Sequence, residues 1–152
     1  MVFDTQVAEL GIACEACHGP GRQHVMLHRD AKSTGGDLQI DDPIVNPQNL
    51  SHSAGSQVCG QCHSVRSSRE PDRQVNLHGH RYRPGKDLNV THDIWRRDSD
   101  SVRKFLDRMK FPEGNEQALR SVFWDDGMVR VAGREFNGLT DSACYHRGEL
   151  SC

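Results

Sequence analysis

Residues 14–18 read CEACH and residues 59–63 read CGQCH, so the motif C-x-x-C-H occurs twice in this chain. In a shuffled chain with the same six cysteines and nine histidines, one such motif is expected about 0.01 times. The repeat therefore indicates a specific chemistry rather than coincidence.

The motif predicts covalent attachment of haem c. Two thiols at this spacing reach the two vinyl groups of one haem, and the adjacent histidine turns its imidazole onto the iron as proximal ligand. The predicted haem-binding residues are Cys14, Cys17, His18, Cys59, Cys62 and His63. The alternative is a zinc site built from the two C-x-x-C pairs, but such a site needs no histidine directly after each pair.

The composition indicates a chain that builds little apolar core of its own. Only 35% of its 152 residues are hydrophobic and 6% are aromatic, which is low for this length. Such a chain needs disulfides, a metal or a cofactor to fold around, and two haems would supply much of the missing apolar material. The predicted fold is mainly α with long irregular loops and a small β-hairpin, and it is organised around haem rather than around a large core.

Charge and hydropathy argue against several partners. The net charge is -2 with neutral histidines, and no clustered basic surface is visible of the kind that binding to nucleic acid requires. No stretch approaches about 18 apolar residues, so we expect no membrane-spanning segment. Residues 1–10 lack a basic segment followed by an apolar one, and we expect no signal peptide in this chain.

Between the motifs the sequence predicts mostly irregular structure. Residues 6–13 are expected to end a helix or turn, and a short helix is expected over about 22–31. Residues 32–57 are rich in Gly, Ser, Asp, Asn and Pro and are expected to form a loop, and residues 64–92 are expected to be irregular as well.

The clearest predicted helix covers residues 99–110. Its apolar residues recur at i, i+3, i+4 and i+7, which places them on one face as core residues: Val102, Phe105, Leu106 and Met109. A second helix is expected over 116–122, and residues 123–131 are expected to form the hairpin around an Asp-Gly turn. The tail from Glu135 to Cys152 is mixed in character.

Four segments resemble a known family. Residues 11–24 contain C-E-x-C-H-G-P-G-x-x-H, and residues 58–66 contain a second block. Residues 82–85, followed by His92, resemble its Pro-Gly segment. The closing stretch includes Asp126-Gly127, Glu135-Phe136-Asn137-Gly138 and residues 144–152. Through these segments most of the chain resembles the cytochrome c554-like multihaem c-type cytochromes.

The resemblance implies a multihaem cytochrome c-like fold. It also implies electron transport through covalently bound haems in the periplasm or elsewhere outside the cytoplasm. It implies redox proteins, or further haem domains of a larger parent protein, as partners. It also implies that residues 1–152 are an internal fragment of a multihaem domain, cut at both ends, because Cys152 corresponds to the first cysteine of a third motif. Cys144 belongs to no C-x-x-C-H motif. It has two possible states, a disulfide with Cys152 or a free thiol.

Each haem iron has a sixth position for a distal ligand. Among the remaining histidines, His24 matches the family's G-P-G-x-x-H position, and His92 and His146 lie in family-like segments. His28 shares a helix face with His24. These four histidines are the predicted distal metal ligands, ahead of His52, His78 and His80. Four arginines could pair with haem propionates or form a solvated basic loop: Arg66, Arg69, Arg81 and Arg83.

Two other classes of function stay open at this point. An iron with only its proximal histidine would make the protein a haem enzyme acting on a small nitrogen-oxide or peroxide substrate, although no catalytic constellation is visible. A chain made in the cytosol would be a haem-free zinc-binding module, because haem c is attached outside the cytoplasm. Electron transfer without catalysis is the prediction that the motifs favour.

Overall fold

A computed structural model describes residues 11–34 and 42–152 and is mainly helical, as predicted. Its helices, in chain order, are α1 (Cys14–His18), α2 (Arg22–Thr34), α3 (His52–His63), α4 (Asp72–His78), α5 (Asp100–Met109), α6 (Asn115–Val122), α7 (Glu135–Asp141) and α8 (Ala143–Gly148). Short 3-10 turns cover Pro47–Asn49 and Leu88–Val90. Most of the turn predicted over residues 6–13 lies outside the described residues. Within the described ranges, no helix is long and apolar enough to cross a membrane.

The small β structure is present, but not where the sequence predicted it. Strands β1 (Arg66–Ser68) and β2 (His92–Ile94) pair in antiparallel orientation, with Ser68 opposite His92. The predicted hairpin over residues 123–131 is reduced to one antiparallel bridge between Phe123 and Val129. Helix α6 continues to the residue before Phe123, so no extended residues precede the bridge and the ladder ends after one pair.

The helices predicted from apolar periodicity are confirmed. Helix α5 (Asp100–Met109) lies within the predicted range 99–110, and residues 116–122 lie within α6. The helix predicted over residues 22–31 is α2, which continues to Thr34. Val102, Phe105 and Leu106 pack in the core as expected, whereas Met109 is exposed.

Residues 35–41 lie outside the described part of the chain. For the rest, the prediction that residues 32–57 and 64–92 are irregular is wrong in part. Helix α3 begins at His52, where Ser51 accepts a hydrogen bond from the backbone N–H of Ala54 at 3.3 Å. The small and polar residues of α3 give no apolar stripe, so periodicity alone could not detect this helix. Tertiary packing stabilises it instead. Residues 64–92 contain β1 and α4, both too short for a sequence pattern.

Among the residues that the structure describes, the apolar core is small and divided into two clusters. One contains Tyr82, Leu88 and Phe136, and Ile94 packs against it. The other joins α5 to α6 through Val102, Leu106 and Ala118, with partly buried aromatic side chains around them. This division agrees with the low apolar content of the sequence.

Helix α7 approaches α3 closely at Gly60. A Cβ atom at this position would lie 2.9 Å from the ring of Phe136, so the close contact requires glycine. The next residue, Asn137, is 2% exposed and joins three segments. Its Oδ1 accepts from the backbone N–H of Val65 at 2.8 Å, and its Nδ2 donates to the carbonyl of Trp95 at 2.7 Å.

We predict that Asn137→Ala lowers the free energy of unfolding by about 2–4 kcal/mol, because it leaves a buried N–H and a partly buried C=O without partners. Urea denaturation followed by circular dichroism measures this change. Asn76→Ala on the exposed surface of α4 is the matched control, with an expected change within about 0.5 kcal/mol. Equal effects of the two substitutions would contradict the bridging role of Asn137.

Candidate functional site

The first C-x-x-C-H motif forms the whole of α1. Gly19 follows directly, with φ of +80°, and its N–H donates to the carbonyl of Glu15 at 2.8 Å. This left-handed backbone conformation favours glycine and ends the helix immediately after His18. Cys14 and Cys17 are exposed, and His18 is partly buried.

The imidazole of His18 has a defined proton position. Its Nδ1 lies 2.8 Å from the carbonyl oxygen of Val45. A carbonyl oxygen only accepts hydrogen bonds, so Nδ1 carries the proton and a neutral His18 has its lone pair on Nε2. Because no described residue hydrogen-bonds Nε2, this nitrogen is available to a metal. Metal-bound histidines usually have this arrangement.

The second motif occupies the last turns of α3, and its histidine is oriented in a similar way. His63 Nδ1 donates to Oε2 of Glu135 at 3.0 Å. Glu135 begins α7, and Arg134 just before it donates to the carbonyl of Cys62. The Nε2 of His63 is therefore also left with its lone pair. The difference from the first motif is that a carboxylate, rather than a backbone carbonyl, holds the imidazole.

The two motifs are in direct contact. Gln61, inside the second motif, donates from Nε2 to the carbonyl of Ala16, inside the first, at 2.7 Å. Cys17 and Cys59 line one cavity of about 420 Å³. Sequence reasoning did not predict this contact, and its only available signal is a long amide side chain at the variable position of the second motif.

Cys152 lies at the same cavity. Its backbone N–H donates to Oγ of Ser56 at 3.3 Å, and its thiol interacts with that of Cys59. Burial, and secondly the Cys152 thiol, raises the pKa of Cys59. All six cysteines are free, so the disulfide between Cys144 and Cys152 that the sequence left open is not formed.

An apolar surface surrounds the first motif. A cavity of about 1070 Å³ is lined by Cys14 and His24 together with apolar side chains, among them Ile12, Met26 and Ile44. Ile12 is 85% exposed, and Met26 is exposed as well. A ligand with a large apolar face would cover these side chains, and its transfer from water would be favourable.

The predicted distal ligands His24 and His28 share one carboxylate. His24 Nδ1 lies 2.8 Å from both oxygens of Asp42, and His28 Nε2 lies 2.9 Å from Oδ2. The hydrogen bond from His28, followed by that from His24, lowers the pKa of Asp42 to about 2. Sequence reasoning did not identify Asp42, because nothing in the local pattern connects it to α2.

His92 is the most deeply buried of the predicted ligands, at 1% exposure. The hydroxyl of Thr91 donates to the carbonyl of Leu88 at 3.2 Å and accepts from His92 Nδ1 at 2.9 Å. The remaining nitrogen, Nε2, is buried without a hydrogen-bond partner among the described residues. Burial, and next the charge of Arg66, lowers the pKa of His92 to about 4, so the imidazole is neutral at pH 7.

Two further buried donors without a described partner lie near the second motif. They are Arg66 Nε and the hydroxyl of Tyr82. Arg66 is within electrostatic range of Cys62, and burial raises the pKa of Tyr82 to about 12, with a smaller effect from Cys59. The sequence predicted a role for Arg66 but not for Tyr82.

The other predicted residues have ordinary surroundings. Arg69 and Arg81 form ion pairs with Asp93 and Glu70, and Arg83 donates to backbone carbonyls. His146 is exposed on α8, with its ring 5.6 Å from that of Tyr145. The weaker candidates behave in the same way: His52 packs on Tyr145, His78 is exposed, and His80 is exposed with its ring 5.1 Å from that of His92.

Comparisons with protein-family models, with characterised proteins and with solved structures gave no match for this chain. The site is therefore interpreted from its own chemistry.

We predict that the haem-free chain loses stability as the pH falls from about 6.5 to about 4. Between these pH values the unfolded chain binds a proton at His92 that the folded chain does not. The free energy of unfolding therefore rises with pH, and the contribution of His92 is complete above about pH 6.5. The contribution of His92 is about 3 kcal/mol. Urea denaturation at pH 7 and pH 4 measures it as the difference between the wild type and His92→Gln.

The matched control for this experiment is His78→Gln, because His78 is exposed on α4. Its pH dependence should equal that of the wild type, whereas His92→Gln should flatten the dependence. A His92→Gln protein with the same pH dependence as the wild type would contradict the burial of a neutral imidazole.

Proposed function

We propose that this chain is an electron-transfer unit of a multihaem c-type cytochrome, with one haem c at each C-x-x-C-H motif. The observation that carries the proposal is the direct contact between the motifs through Gln61 and Ala16. Cofactors attached to two contacting motifs lie close together, as transfer of electrons between them requires. Haem c supplies an iron that alternates between the ferrous and ferric states.

The two histidines fit the role of proximal ligands. His18 and His63 each have their Nδ1 proton engaged, by the Val45 carbonyl and the Glu135 carboxylate respectively. In both imidazoles, Nε2 is the nitrogen left to bind iron. This arrangement fixes the ring and its tautomer before the cofactor arrives.

The thiols and the surrounding surface support the same proposal. Four free cysteines stand at the spacing that haem attachment requires: Cys14, Cys17, Cys59 and Cys62. The apolar cavity beside Cys14 suits a porphyrin face. The unpartnered donors Arg66 Nε and the Tyr82 hydroxyl suit haem propionates.

We propose His92 as the distal ligand of the haem at the second motif. Strand β2 places it beside β1, which follows the motif after two residues. Its buried Nε2 has no described partner, and leaving such an atom unpaired costs free energy that a metal bond would recover. The neutral imidazoles of His63 and His92 would together hold the iron and leave no ligand position for a substrate, which favours electron transfer over catalysis.

Attachment of haem c requires an extracytoplasmic location, and we propose the periplasm or an equivalent compartment. Redox proteins, or further haem domains of a larger parent protein, would supply and accept the electrons. The thiol of Cys152 lies beside that of Cys59.

Export of the chain in a bacterium with the haem c attachment machinery tests the proposal. We expect a covalent mass increase of two haems that survives denaturation, and a matching haem content by the pyridine haemochrome assay. Cys14→Ser with Cys17→Ser should leave one haem, as should Cys59→Ser with Cys62→Ser. Cys144→Ser, the matched control outside both motifs, should retain two.

Other outcomes of the same preparation would overturn the proposal. An exported chain without covalent haem that holds zinc on its thiols would be the zinc-binding module. An attached haem that stays high-spin and changes its spectrum with added nitric oxide or nitrite would support the haem enzyme. A low-spin spectrum that added ligands do not change agrees with electron transfer.

The carboxylate of Glu135 should lower the reduction potential of the second haem. Its hydrogen bond makes the imidazole of His63 more basic and favours ferric iron. We therefore predict that Glu135→Gln raises this potential, measured by spectroelectrochemical titration in the Cys14→Ser, Cys17→Ser background that carries only this haem. Glu113→Gln, an exposed control, should leave the potential unchanged. A lowered or unchanged potential in Glu135→Gln would contradict the role of Glu135.

A further inference from the structure

Helix α2 and the chain segment at Asp42 place three metal-ligand side chains together. His24 and His28 are one helical turn apart, and their ring centroids are 4.5 Å apart with the planes tilted by 54°. Both imidazoles donate to the carboxylate of Asp42, at 2.8 and 2.9 Å. Asp42 also accepts from the backbone N–H of Ile44 at 3.2 Å, which helps to hold the carboxylate in place.

We propose that His24, His28 and Asp42 bind one divalent transition-metal ion of the zinc class, at a site that uses no residue of either C-x-x-C-H motif. The ligand atoms would be one imidazole nitrogen from each histidine and one oxygen of Asp42. The ion would lie between these three ligand atoms, where the protons of the two hydrogen bonds to Asp42 lie in its absence.

Metal binding requires a small rearrangement of the three side chains. The three ligand atoms lie within 4.8 Å of one another, whereas ligands of a tetrahedral ion at about 2.1 Å are about 3.4 Å apart. Small rotations of the three side chains would bring the ligand atoms to this separation. Each neutral imidazole moves its proton to the other ring nitrogen, so both histidines remain neutral and the carboxylate supplies the one negative charge.

The donor set determines which ions bind. Two imidazole nitrogens and one carboxylate oxygen suit Zn²⁺, Co²⁺, Ni²⁺ and Cu²⁺, whereas Mg²⁺ and Ca²⁺ prefer oxygen ligands alone. The side chains of His24, His28 and Asp42 are 33%, 55% and 31% exposed. A half-exposed site leaves the fourth position of the ion open to water.

This site has one competing interpretation on the same atoms. In the hydrogen-bonded form, His24 keeps a lone pair on Nε2 and could bind a haem iron through it, with Asp42 supporting the ring. His28 is then only a second donor to the carboxylate. The two interpretations differ in the role of His28. It is a ligand of the ion in the proposed site, whereas His24 could bind a haem iron without it.

Zinc titration of the full chain tests the proposal, with cysteine thiols blocked by alkylation so that they cannot bind the ion. We expect one Zn²⁺ per chain by calorimetry, with binding weakened at least about tenfold in His24→Gln, His28→Gln and Asp42→Asn. His78→Gln, which changes an exposed histidine on α4, is the matched control and should bind as the wild type does. The result does not depend on haem attachment.

Two more measurements keep the test decisive. Far-UV circular dichroism shows whether each variant is folded, and Zn²⁺ should raise the thermal midpoint of the wild type and of His78→Gln but not of the three site variants. An excess of Mg²⁺ should not displace Zn²⁺. Absence of zinc binding, or binding that His28→Gln leaves unchanged, would overturn the proposal.

Discussion

The buried amide of Asn137 connects the parts of the molecule on which the second motif depends. It binds the backbone just after that motif, at Val65, and the residue after β2, at Trp95. Phe136 beside it packs on Gly60 of α3, and Glu135 reaches His63. Three consecutive residues of α7 therefore position the helix, the strand and the proposed proximal ligand of one haem.

The two motifs share a sequence pattern but have different surroundings. The first is a separate short helix beside a large apolar cavity, with its histidine held by a neutral backbone carbonyl. The second lies at the end of a longer helix, with its histidine held by a carboxylate. A carboxylate favours the ferric state more strongly than a carbonyl does, so the proposed haems would have unequal potentials, which gives electron transfer a preferred direction.

Much of the local structure could be predicted from the sequence, and the limits have physical causes. Helix α5 follows from its apolar stripe, because an amphipathic face has its own periodic signal. Helix α3 has no such stripe and depends on packing against α7 at Gly60. The strands β1 and β2 have three residues each, and so short a segment becomes extended only when its partner is present.

The candidate site also has features that the sequence predicts and features that it does not. The spacing of cysteine and histidine predicts the proposed haem attachment, because thioether formation and proximal iron ligation would need only residues that are close along the chain. The hydrogen bond from Gln61 to Ala16, the burial of His92 and the approach of Asp42 to α2 depend on contacts between distant segments. The residues that could hold a cofactor are recognisable from their order along the chain. Which of them meet depends on the fold, because long-range contacts arise from the packing of distant segments and have no local pattern.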